Sequence, residues 1–313
     1  MNNNTEKNLK ELWVEKYRPK TVKGYVFRDE AQRNQVVTWI KDKSIPHLLF
    51  SGSAGIGKTT LAKLLFNELD VNPLDILEIN ASRERGIDEV KKRITSFVQM
   101  IPFGDFKVVL LDEADYLTPD AQAALRGVME EYHSTARFIL TCNYQNRIIP
   151  AIHSRCQGFH IAKVDQTEFT ARVAEILITE GVEFILDTLD TYVKATYPDL
   201  RKCINMVQMN TQDGVLVAPN EGDSGTSDWK INMVELFKAG KIQEARKLLC
   251  GSVRAEEMEE IYRWLYDNIE LFGSETQQDT AVLIIKQGLV DHTLVADPEI
   301  NLAATLIRLA KIQ

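Results

Sequence analysis

The sequence predicts an α/β domain built on a parallel sheet, followed by a small helical domain and an all-helical C-terminal domain. Short β-rich runs alternate with helical patterns in the first half, at residues 47–51, 76–80, 107–112, 137–142 and 158–161. The most apolar runs, such as VVLL at 108–111, indicate strands buried on both faces, as in a parallel sheet covered by helices. Beyond about residue 163 the strand pattern gives way to helical periodicity.

The second half reads as helices with one polar interruption. Helices are predicted at residues 166–180, 187–196 and 199–210. Gly181 suits the end of the first helix, and Pro198 separates the second from the third. Residues 211–228 are rich in Gly, Asp, Asn and Ser, which predicts a linker or mobile loop.

Two apolar stripes at helical spacing predict the buried faces of the C-terminal helices. They comprise Met258, Ile261, Trp264 and Leu265 in one helix, and Ile300, Ala303, Ala304 and Ile307 in another. The predicted organisation is a tail at 1–11, an α/β domain at 12–163, a helical domain at 164–210, a linker at 211–228 and a helical domain at 229–313.

Composition restricts the possible partners and the compartment. The 37 basic and 45 acidic residues give a net charge of −8, which argues against binding nucleic acid through overall charge but leaves room for a local basic strip. There is no apolar run long enough for a membrane helix, and the first ten residues lack the apolar core of a signal peptide. Four cysteines without a CxxC pair argue against disulfides or a metal site, so we expect the reducing cytoplasm.

A phosphate-binding loop lies between the first predicted strand and a helix. Residues 52–59 read GSAGIGKT, the full Walker A pattern. The glycines let backbone N–H groups surround phosphates, Lys58 would reach the β- and γ-phosphates, and the Thr59 hydroxyl would bind Mg²⁺. The expected nucleotide-binding set is Gly52, Ser53, Ala54, Gly55, Ile56, Gly57, Lys58, Thr59 and Thr60. A chance glycine-rich turn is the alternative.

Acidic and amide residues follow two later strands. Asp112 ends an apolar run and would hold Mg²⁺ through a water molecule, while Glu113 would polarise an attacking water. Asn143 follows another strand and would hold the same water or sense the γ-phosphate. Ordinary turn chemistry is the alternative for Asn143.

Several further motifs extend the pattern beyond the phosphate-binding loop. They are EKYRPK at 15–20, NASRERGID at 80–88, SRC at 154–156, PDLRK at 198–202 and DPEINLAA at 297–304. Together with the Walker motifs, they resemble those of AAA+ ATPases, and more narrowly those of sliding-clamp loader small subunits. That group comprises the replication factor C small subunits and the T-even phage clamp-loader ATPase.

The resemblance implies an AAA+ domain, a helical lid and a C-terminal collar that forms oligomers. It implies that Tyr17, Arg18 and Pro19 lie against the adenine and that Arg201 touches the γ-phosphate in cis. It also implies that Arg155 reaches in trans into the nucleotide site of a neighbouring subunit. An ordinary surface arginine is the alternative for Arg155, and a solvated helix arginine is the alternative for Arg201.

A local cluster of cations offers a DNA contact on an otherwise acidic chain. Its members are Arg83, Arg85, Lys91, Lys92 and Arg93, interspersed with Glu84, Asp88 and Glu89. Charge alone leaves a solvated mixed face as an equal alternative.

The resemblance implies that Arg85, Gly86, Ile87 and Thr118 contact phosphates of primer-template DNA, without sequence preference. Thr118 with Pro119 also predicts a helix N-cap. Gln122 on that helix would link DNA contact to Glu113. The family's clamp-facing helix end corresponds to residues 95–103, for which core packing is the alternative.

We therefore expect a DNA- and clamp-stimulated ATP hydrolase with ATP and Mg²⁺ as cofactors. Its expected partners are primer-template DNA, a sliding clamp and the other clamp-loader subunits in a hetero-pentamer, with no membrane. It would act in the cytoplasm, in the host cytoplasm for a virus, or in the nucleus for a eukaryote. The alternatives are another DNA-associated AAA+ ATPase, such as a helicase or remodeller, and a non-hydrolysing ATP-bound scaffold subunit.

Overall fold

The computed structural model describes residues 11–83, 87–217, 229–252, 258–292 and 294–312. Within them, one sheet contains β1 Leu48–Ser51, β2 Ile76–Asn80, β3 Lys107–Asp112, β4 Ala136–Cys142 and β5 Gln157–His160. The spatial order is β2-β3-β4-β1-β5, and every neighbouring pair is parallel. The predicted parallel sheet is confirmed, and the predicted strand bounds differ from the observed ones by no more than one residue at either end.

Helices account for most of the remaining described chain. Their bounds are α1 Trp13–Lys16, α2 Glu30–Lys41, α3 Lys58–Glu68, α4 Ile87–Val98, α5 Pro119–Glu131, α6 Pro150–His153, α7 Gln166–Thr179, α8 Leu186–Thr196, α9 Leu200–Met209, α10 Trp229–Lys238, α11 Ile242–Ser252, α12 Met258–Asp267, α13 Glu275–His292 and α14 Pro298–Leu309. The described helices include none that is long and apolar enough to cross a membrane.

The sheet is buried on both faces, as its apolar strands predict. Successive strand residues alternate between two core clusters, so that Val109 and Leu111 of β3 belong to one cluster and Val108 and Leu110 to the other. The first cluster includes residues of α4, α5 and α6, and the second includes residues of α2 and α3. This double covering explains why the strands read as continuous apolar runs rather than as alternating ones.

Strand order brings the predicted site residues to one edge of the sheet. β1 lies between β4 and β5, although β2 follows it in the chain. In open parallel sheets such a reversal of strand order opens a crevice beyond the carboxyl ends of the strands, where ligands bind. The phosphate-binding loop after β1, Asp112 at the end of β3 and Asn143 after β4 all lie at that edge.

The chain divides into two compact units. The first comprises the described residues up to Ile176 together with Pro198–Gln208, and the second comprises Leu177–Tyr197 together with the described residues from Met209 onward. Each unit therefore includes part of the helical segment expected at residues 164–210. The domain limits expected from the sequence remain a prediction.

The second unit contains a short hairpin where the sequence predicts only a linker. β6 Thr211–Gln212 pairs antiparallel with β7 Val215–Leu216. Asp213 and Gly214 between them have φ of 49° and 80°, the positive values that a tight hairpin turn requires and that an Asp-Gly pair favours. The sequence analysis predicted no strands here because the segment contains few apolar residues, although the Asp-Gly pair is typical of a hairpin turn. Residues 218–228 lie outside the described part of the chain.

One of the two predicted apolar stripes is confirmed and the other is wrong. Met258, Ile261, Trp264 and Leu265 of α12 are buried, as expected. In α14, however, Ile300 is 68% exposed, and the buried face instead comprises Asn301, Leu302, Thr305, Leu306 and Leu309.

Polar residues on the buried face of α14 explain the error. Asn301 donates from Nδ2 to the Tyr262 hydroxyl and to the Gly288 carbonyl, each at 2.8 Å. The Thr305 hydroxyl donates to the Asn301 carbonyl at 2.9 Å. Because these bonds satisfy the buried polar groups, α14 can bury a face that contains polar residues. The spacing of apolar residues in the sequence does not indicate that face.

Candidate nucleotide-binding site

The phosphate-binding loop adopts a backbone that glycine alone accommodates. Gly57 has φ of 97° and immediately precedes α3 as its N-cap. Gly55 has φ of 72°, and a Cβ there would lie 1.9 Å from Oδ1 of Asp199. Positive φ values and this close approach exclude larger residues at both positions. A helix that begins at such a loop offers its first N–H groups to an anion.

Lys58 is the one cation of the phosphate-binding loop, and its side chain is buried. Its Nζ donates to the carbonyls of Gly52 at 2.8 Å and Ser53 at 2.6 Å, and to Oδ1 of Asn143 at 2.7 Å. Burial lowers the pKa of Lys58 below its usual value, and the charges of Asp112 and Asp115 partly oppose that shift. The structure thus brings together two residues that the sequence assigns to the same phosphate.

Thr59 bonds directly to Asp112, and a threonine of the neighbouring strand joins Asp112 to Glu113. The Thr59 hydroxyl donates to Oδ1 of Asp112 at 2.7 Å. The Thr141 hydroxyl donates to the same oxygen at 2.7 Å and accepts from the backbone N–H of Glu113 at 2.9 Å. Glu113 has φ of 57°, a left-handed conformation that is costly outside glycine and is found at functional sites.

Asp115 supports the loop that carries Asn143. Its Oδ2 accepts from the backbone N–H groups of Asn143 at 3.3 Å and Tyr144 at 3.2 Å. The side chain is buried at the carboxyl edge of the sheet. Asn143 is therefore held by Asp115 through its backbone and joined to Lys58 through its side chain.

A pocket beside the loop collects the other predicted nucleotide contacts. Tyr17, Arg18 and Pro19 line it together with Gly55, Gly57, Thr60 and Arg201. It also includes residues of α7 and α9 that belong to the same compact unit. The structure thus brings the N-terminal EKYRPK segment and the PDLRK segment, more than 170 residues apart in the chain, to one cavity beside the phosphate-binding loop.

The N-terminal segment is fastened to this unit by two polar side chains. Gln208 of α9 accepts from the backbone N–H of Trp13 at 3.0 Å and donates to the Glu11 carbonyl at 2.8 Å. Arg172 of α7 donates to the Tyr17 carbonyl at 3.0 Å. These bonds fix the strip of backbone from which Tyr17 and Arg18 reach the pocket.

Arg155 lies apart from this pocket. It is not among the described residues that line the nucleotide pocket, and it borders a surface depression with His47, His133 and Arg137. The following residue, Cys156, packs against the core, and burial raises the pKa of its thiol to about 12. In the Ser-Arg-Cys turn, Cys156 therefore packs against the core while the guanidinium of Arg155 lies at the surface.

The predicted DNA contacts are only partly described. Arg85 and Gly86 lie outside the described residues, and Ile87 is the first residue of α4. Thr118 is the N-cap of α5, as predicted, and its hydroxyl accepts from the Ala121 N–H at 3.3 Å. Thr118 is exposed, and its carbonyl accepts from the Gln122 N–H at 3.0 Å.

Gln122 is buried rather than exposed. Its Nε2 donates to the carbonyls of Leu117 at 3.1 Å and Arg147 at 3.0 Å, and its Oε1 accepts from the Ile149 N–H at 2.8 Å. It therefore ties the segment after β3 to the segment after β4. These three hydrogen bonds are the ones that the structure describes for the Gln122 side chain, and none of them involves Glu113.

The segment that the resemblance assigns to the clamp contains both core-packed and exposed apolar side chains. Phe97 packs against the core, whereas Ile101 is 88% exposed and Phe103 is 71% exposed. Core packing thus describes Phe97 but not Ile101 or Phe103.

The donors of the site fit a magnesium nucleoside triphosphate. In the described part of the chain, no group of three or more histidine, cysteine or acidic side chains is placed to hold a metal by itself. Thr59 and Asp112 offer one hydroxyl and one carboxylate, the sparse protein ligation that Mg²⁺ accepts when phosphate oxygens and waters complete its shell. The left-handed glycines and buried Lys58 supply the matching cradle for phosphate.

Sequence reasoning missed Thr141, Asp115 and Gln208. A hydroxyl near the end of the otherwise apolar run at β4 could have indicated Thr141, because a buried polar group needs a partner. Asp115 stands in the acidic run after β3 and could have been assigned a structural role. Gln208 has no comparable signal, since its partners lie almost 200 residues away.

Comparisons with known proteins agree with this geometry. The family described as "ATPase family associated with various cellular activities (AAA)" matches residues 48–164. The replication factor C small subunit of Sulfurisphaera tokodaii is 38% identical over 317 residues, covering 96% of this chain and 95% of that protein. The counterpart of Archaeoglobus fulgidus is 43% identical over 76% of this chain and 77% of its own length. The match to the Methanocella arvoryzae protein is 40% identical and spans about 62% of that relative's length.

Solved structures support the fold. The RuvB Holliday junction branch migration motor of Thermotoga maritima superposes with a TM-score of 0.55 at 15% identity, over 79% of this chain and 80% of that one. Identity at this level concerns the fold alone. Taken with the near full-length match to the Sulfurisphaera protein and the AAA match over the sheet and phosphate-binding loop, it leads to one assignment: the chain is an AAA ATPase and belongs to the replication factor C small subunit family.

Proposed function

We propose that this chain is the ATPase subunit of a DNA replication clamp loader, which uses ATP binding and hydrolysis to open a sliding clamp and place it on primer-template DNA. The observation that carries the proposal is the division of catalytic groups. Hydrogen bonds at the carboxyl edge of the sheet join Lys58 to Asn143, Thr59 to Asp112 and, through Thr141, Asp112 to Glu113. Arg155 lies at a separate surface. Such a site is completed by a neighbouring subunit.

The predicted nucleotide contacts have the following roles in this proposal. The backbone N–H groups from Gly52 to Thr60 and the ammonium of Lys58 hold the phosphates, and Tyr17, Arg18 and Pro19 contact the adenine. Thr59 directly and Asp112 through water would hold Mg²⁺, which would supply positive charge to the β- and γ-phosphates. Arg201 contacts the γ-phosphate in cis.

Hydrolysis requires an oriented water and a stabilised γ-phosphoryl group. Glu113 accepts a proton from the attacking water, and Asn143 holds that water in line. Arg155 of the neighbouring subunit stabilises charge on the transferring group. An arginine finger of this kind accelerates hydrolysis roughly 10³- to 10⁵-fold in other systems, so a lone subunit is expected to be slow.

DNA contact is proposed for Arg85, Gly86, Ile87 and Thr118, through phosphates and without sequence preference. The exposed start of α5 at Thr118 supports this assignment, because the positive end of a helix attracts phosphate. Gln122 couples DNA contact to the catalytic edge by joining the segments after β3 and β4. Affinity for DNA should fall steeply with salt concentration.

The proposed partners are a ring-shaped clamp and other loader subunits in a hetero-pentamer. Exposed apolar side chains at Ile101 and Phe103 support a protein contact at the clamp-facing segment. ATP-bound subunits would favour the clamp-open arrangement, and DNA would trigger hydrolysis and release. The complex would act wherever the replicated DNA resides, in cytoplasm or nucleus.

The test is steady-state ATP hydrolysis by the assembled complex, measured with and without primer-template DNA and clamp. Strong stimulation by both together, without DNA unwinding, supports the proposal. Continuous hydrolysis coupled to unwinding would indicate a helicase or remodeller instead. Tight ATP binding without turnover under all conditions would indicate a scaffold subunit.

A further inference from the structure

The side chain of Arg155 is held in place by its own subunit. Its Nη1 donates to the Ala151 carbonyl at 2.8 Å and to the Ser154 hydroxyl at 3.0 Å. Its Nη2 donates to Oε1 of Glu130, with which it also forms an ion pair. Among the described residues, Glu130 is thus the one acidic side chain that contacts this guanidinium.

Glu130 comes from a different element than the turn that carries Arg155. It lies in the last turn of α5, on an exposed part of that helix, whereas Arg155 follows α6. The two elements pack on the same core cluster, through Val128 and Met129 of α5 and Ile152 of α6. The carboxylate therefore approaches the guanidinium from a rigid support.

We infer that Glu130 is a positioning residue for the arginine finger, which fixes the direction in which Arg155 faces the neighbouring nucleotide. This inference rests on the proposed role of Arg155 in trans. The contacts with Ala151 and Ser154 both involve Nη1, so they define one end of the guanidinium. The contact with Glu130 defines the other end and fixes the plane of the group.

The remaining donors of Arg155 suit a phosphoryl group. A guanidinium has five N–H groups in a planar fork, and the described contacts use three of them. Two N–H groups thus remain for oxygens of the γ-phosphoryl group. Arginine keeps its charge beside a carboxylate because its pKa is so high, and a group oriented before the reaction needs no reorganisation during it.

An exposed ion pair contributes little to stability, which makes the effect on rate separable from an effect on folding. The first variant is Glu130→Ala, and the matched control is Glu131→Ala, which removes the adjacent exposed acid at the end of the same helix. Both are measured in the assembly formed by the full chain. Glu130→Gln, which keeps an acceptor oxygen, serves as a milder second variant.

We expect Glu130→Ala to lower kcat about three- to tenfold with an unchanged KM, as for loss of one positioning contact worth about 1 kcal/mol. Glu131→Ala should stay within about twofold of the wild type, and Glu130→Gln should fall between the two. In an Arg155→Ala background, Glu130→Ala should have no further effect, because the group that it positions is gone.

A chemical measurement on the isolated chain is independent of hydrolysis. Phenylglyoxal modifies accessible guanidinium groups, and mass spectrometry of the modified peptide reports the rate at Arg155. Glu130→Ala should raise that rate, whereas Glu131→Ala should leave it unchanged.

Two results would overturn the inference. One is a wild-type kcat or a wild-type rate of modification in Glu130→Ala. The other is an equal loss of kcat from Glu130→Ala with and without Arg155, since the residue would then act elsewhere. A wild-type kcat for Arg155→Ala would instead contradict the trans role itself, so the two failures are distinguishable.

Discussion

The hydroxyl of Thr141 donates to the carboxylate of Asp112 at 2.7 Å, across adjacent strands of the sheet. The same hydroxyl accepts from the backbone N–H of Glu113 at 2.9 Å, where the chain has φ of 57°. One threonine therefore fixes both the acid that binds Mg²⁺ in our proposal and the backbone of the residue that activates water.

Replacing Thr141 with Val should impair both folding and catalysis. Valine has nearly the same shape but leaves the Glu113 N–H without its acceptor, which costs about 1–3 kcal/mol of unfolding free energy. We expect a lower kcat for ATP hydrolysis as well, because the left-handed turn at Glu113 loses a support. Thr141→Ser keeps the hydroxyl and should retain most of the activity. Equal rates for the Val and Ser variants would contradict this role.

Replacing Glu113 with Gln should separate binding from turnover. The amide preserves size but cannot accept a proton from water, so kcat should fall about 10²- to 10⁴-fold. The affinity for ATP, measured by fluorescence of a bound nucleotide analogue, should stay near the wild-type value. A variant that cycles at the normal rate would rule out Glu113 as the base.

Replacing Gln208 with Leu should weaken nucleotide binding from a distance. Gln208 fastens the backbone of Glu11 and Trp13, and Leu removes both bonds at similar volume. We expect the Kd for ATP to rise about three- to tenfold, as for the loss of one or two hydrogen bonds. Met209→Leu alters the next residue, which is exposed, and is the matched control. Unchanged affinity in Gln208→Leu would show that the N-terminal segment does not contribute to the site.

Acid should destabilise the fold through His47. Burial, with help from the charges of Arg137 and His133, lowers the pKa of His47 to about 4, and its Nδ1 accepts from the Phe138 N–H at 3.2 Å. Because the folded-state pKa lies below the unfolded value, the contribution is complete above about pH 6.5 and is lost as the pH falls toward 4. Partial exposure limits the loss to about 1–2 kcal/mol.

Urea unfolding at pH 7 and pH 4.5 measures this effect. His47→Asn supplies a neutral acceptor that does not titrate, so the loss between the two pH values should be smaller in that variant than in the wild type. The same loss in both proteins would assign the acid sensitivity to other groups.

Much of the first unit could be predicted because its signals are local. The strands around the site are apolar runs that end in characteristic residues, and the predicted bounds of β2 and β3 are those observed. The phosphate-binding loop is a contiguous pattern whose glycines have a specific backbone requirement. These strands and this loop are encoded in short segments of sequence, so they can be predicted without knowledge of the tertiary structure.

Contacts between distant segments were beyond that reasoning. Nothing local shows that Gln208 binds the backbone near Trp13, or that Glu130 contacts Arg155. Glutamine is usually exposed, yet Gln122 is buried, and three backbone partners make its burial possible. In α14, Asn301 and Thr305 are likewise buried with hydrogen-bond partners, so the buried face is not the apolar face that was expected.

The dependence of ATP hydrolysis on assembly tests the central claim most directly. The full chain is titrated into its complex in the presence of primer-template DNA and clamp. Phosphate release then gives the rate of ATP hydrolysis per subunit, and sedimentation gives the extent of assembly. We predict slow hydrolysis by the isolated chain, a large increase on assembly, and no such increase when Arg155 is replaced by Ala. An isolated monomer that hydrolyses ATP as fast as the complete assembly would contradict a nucleotide site shared between subunits.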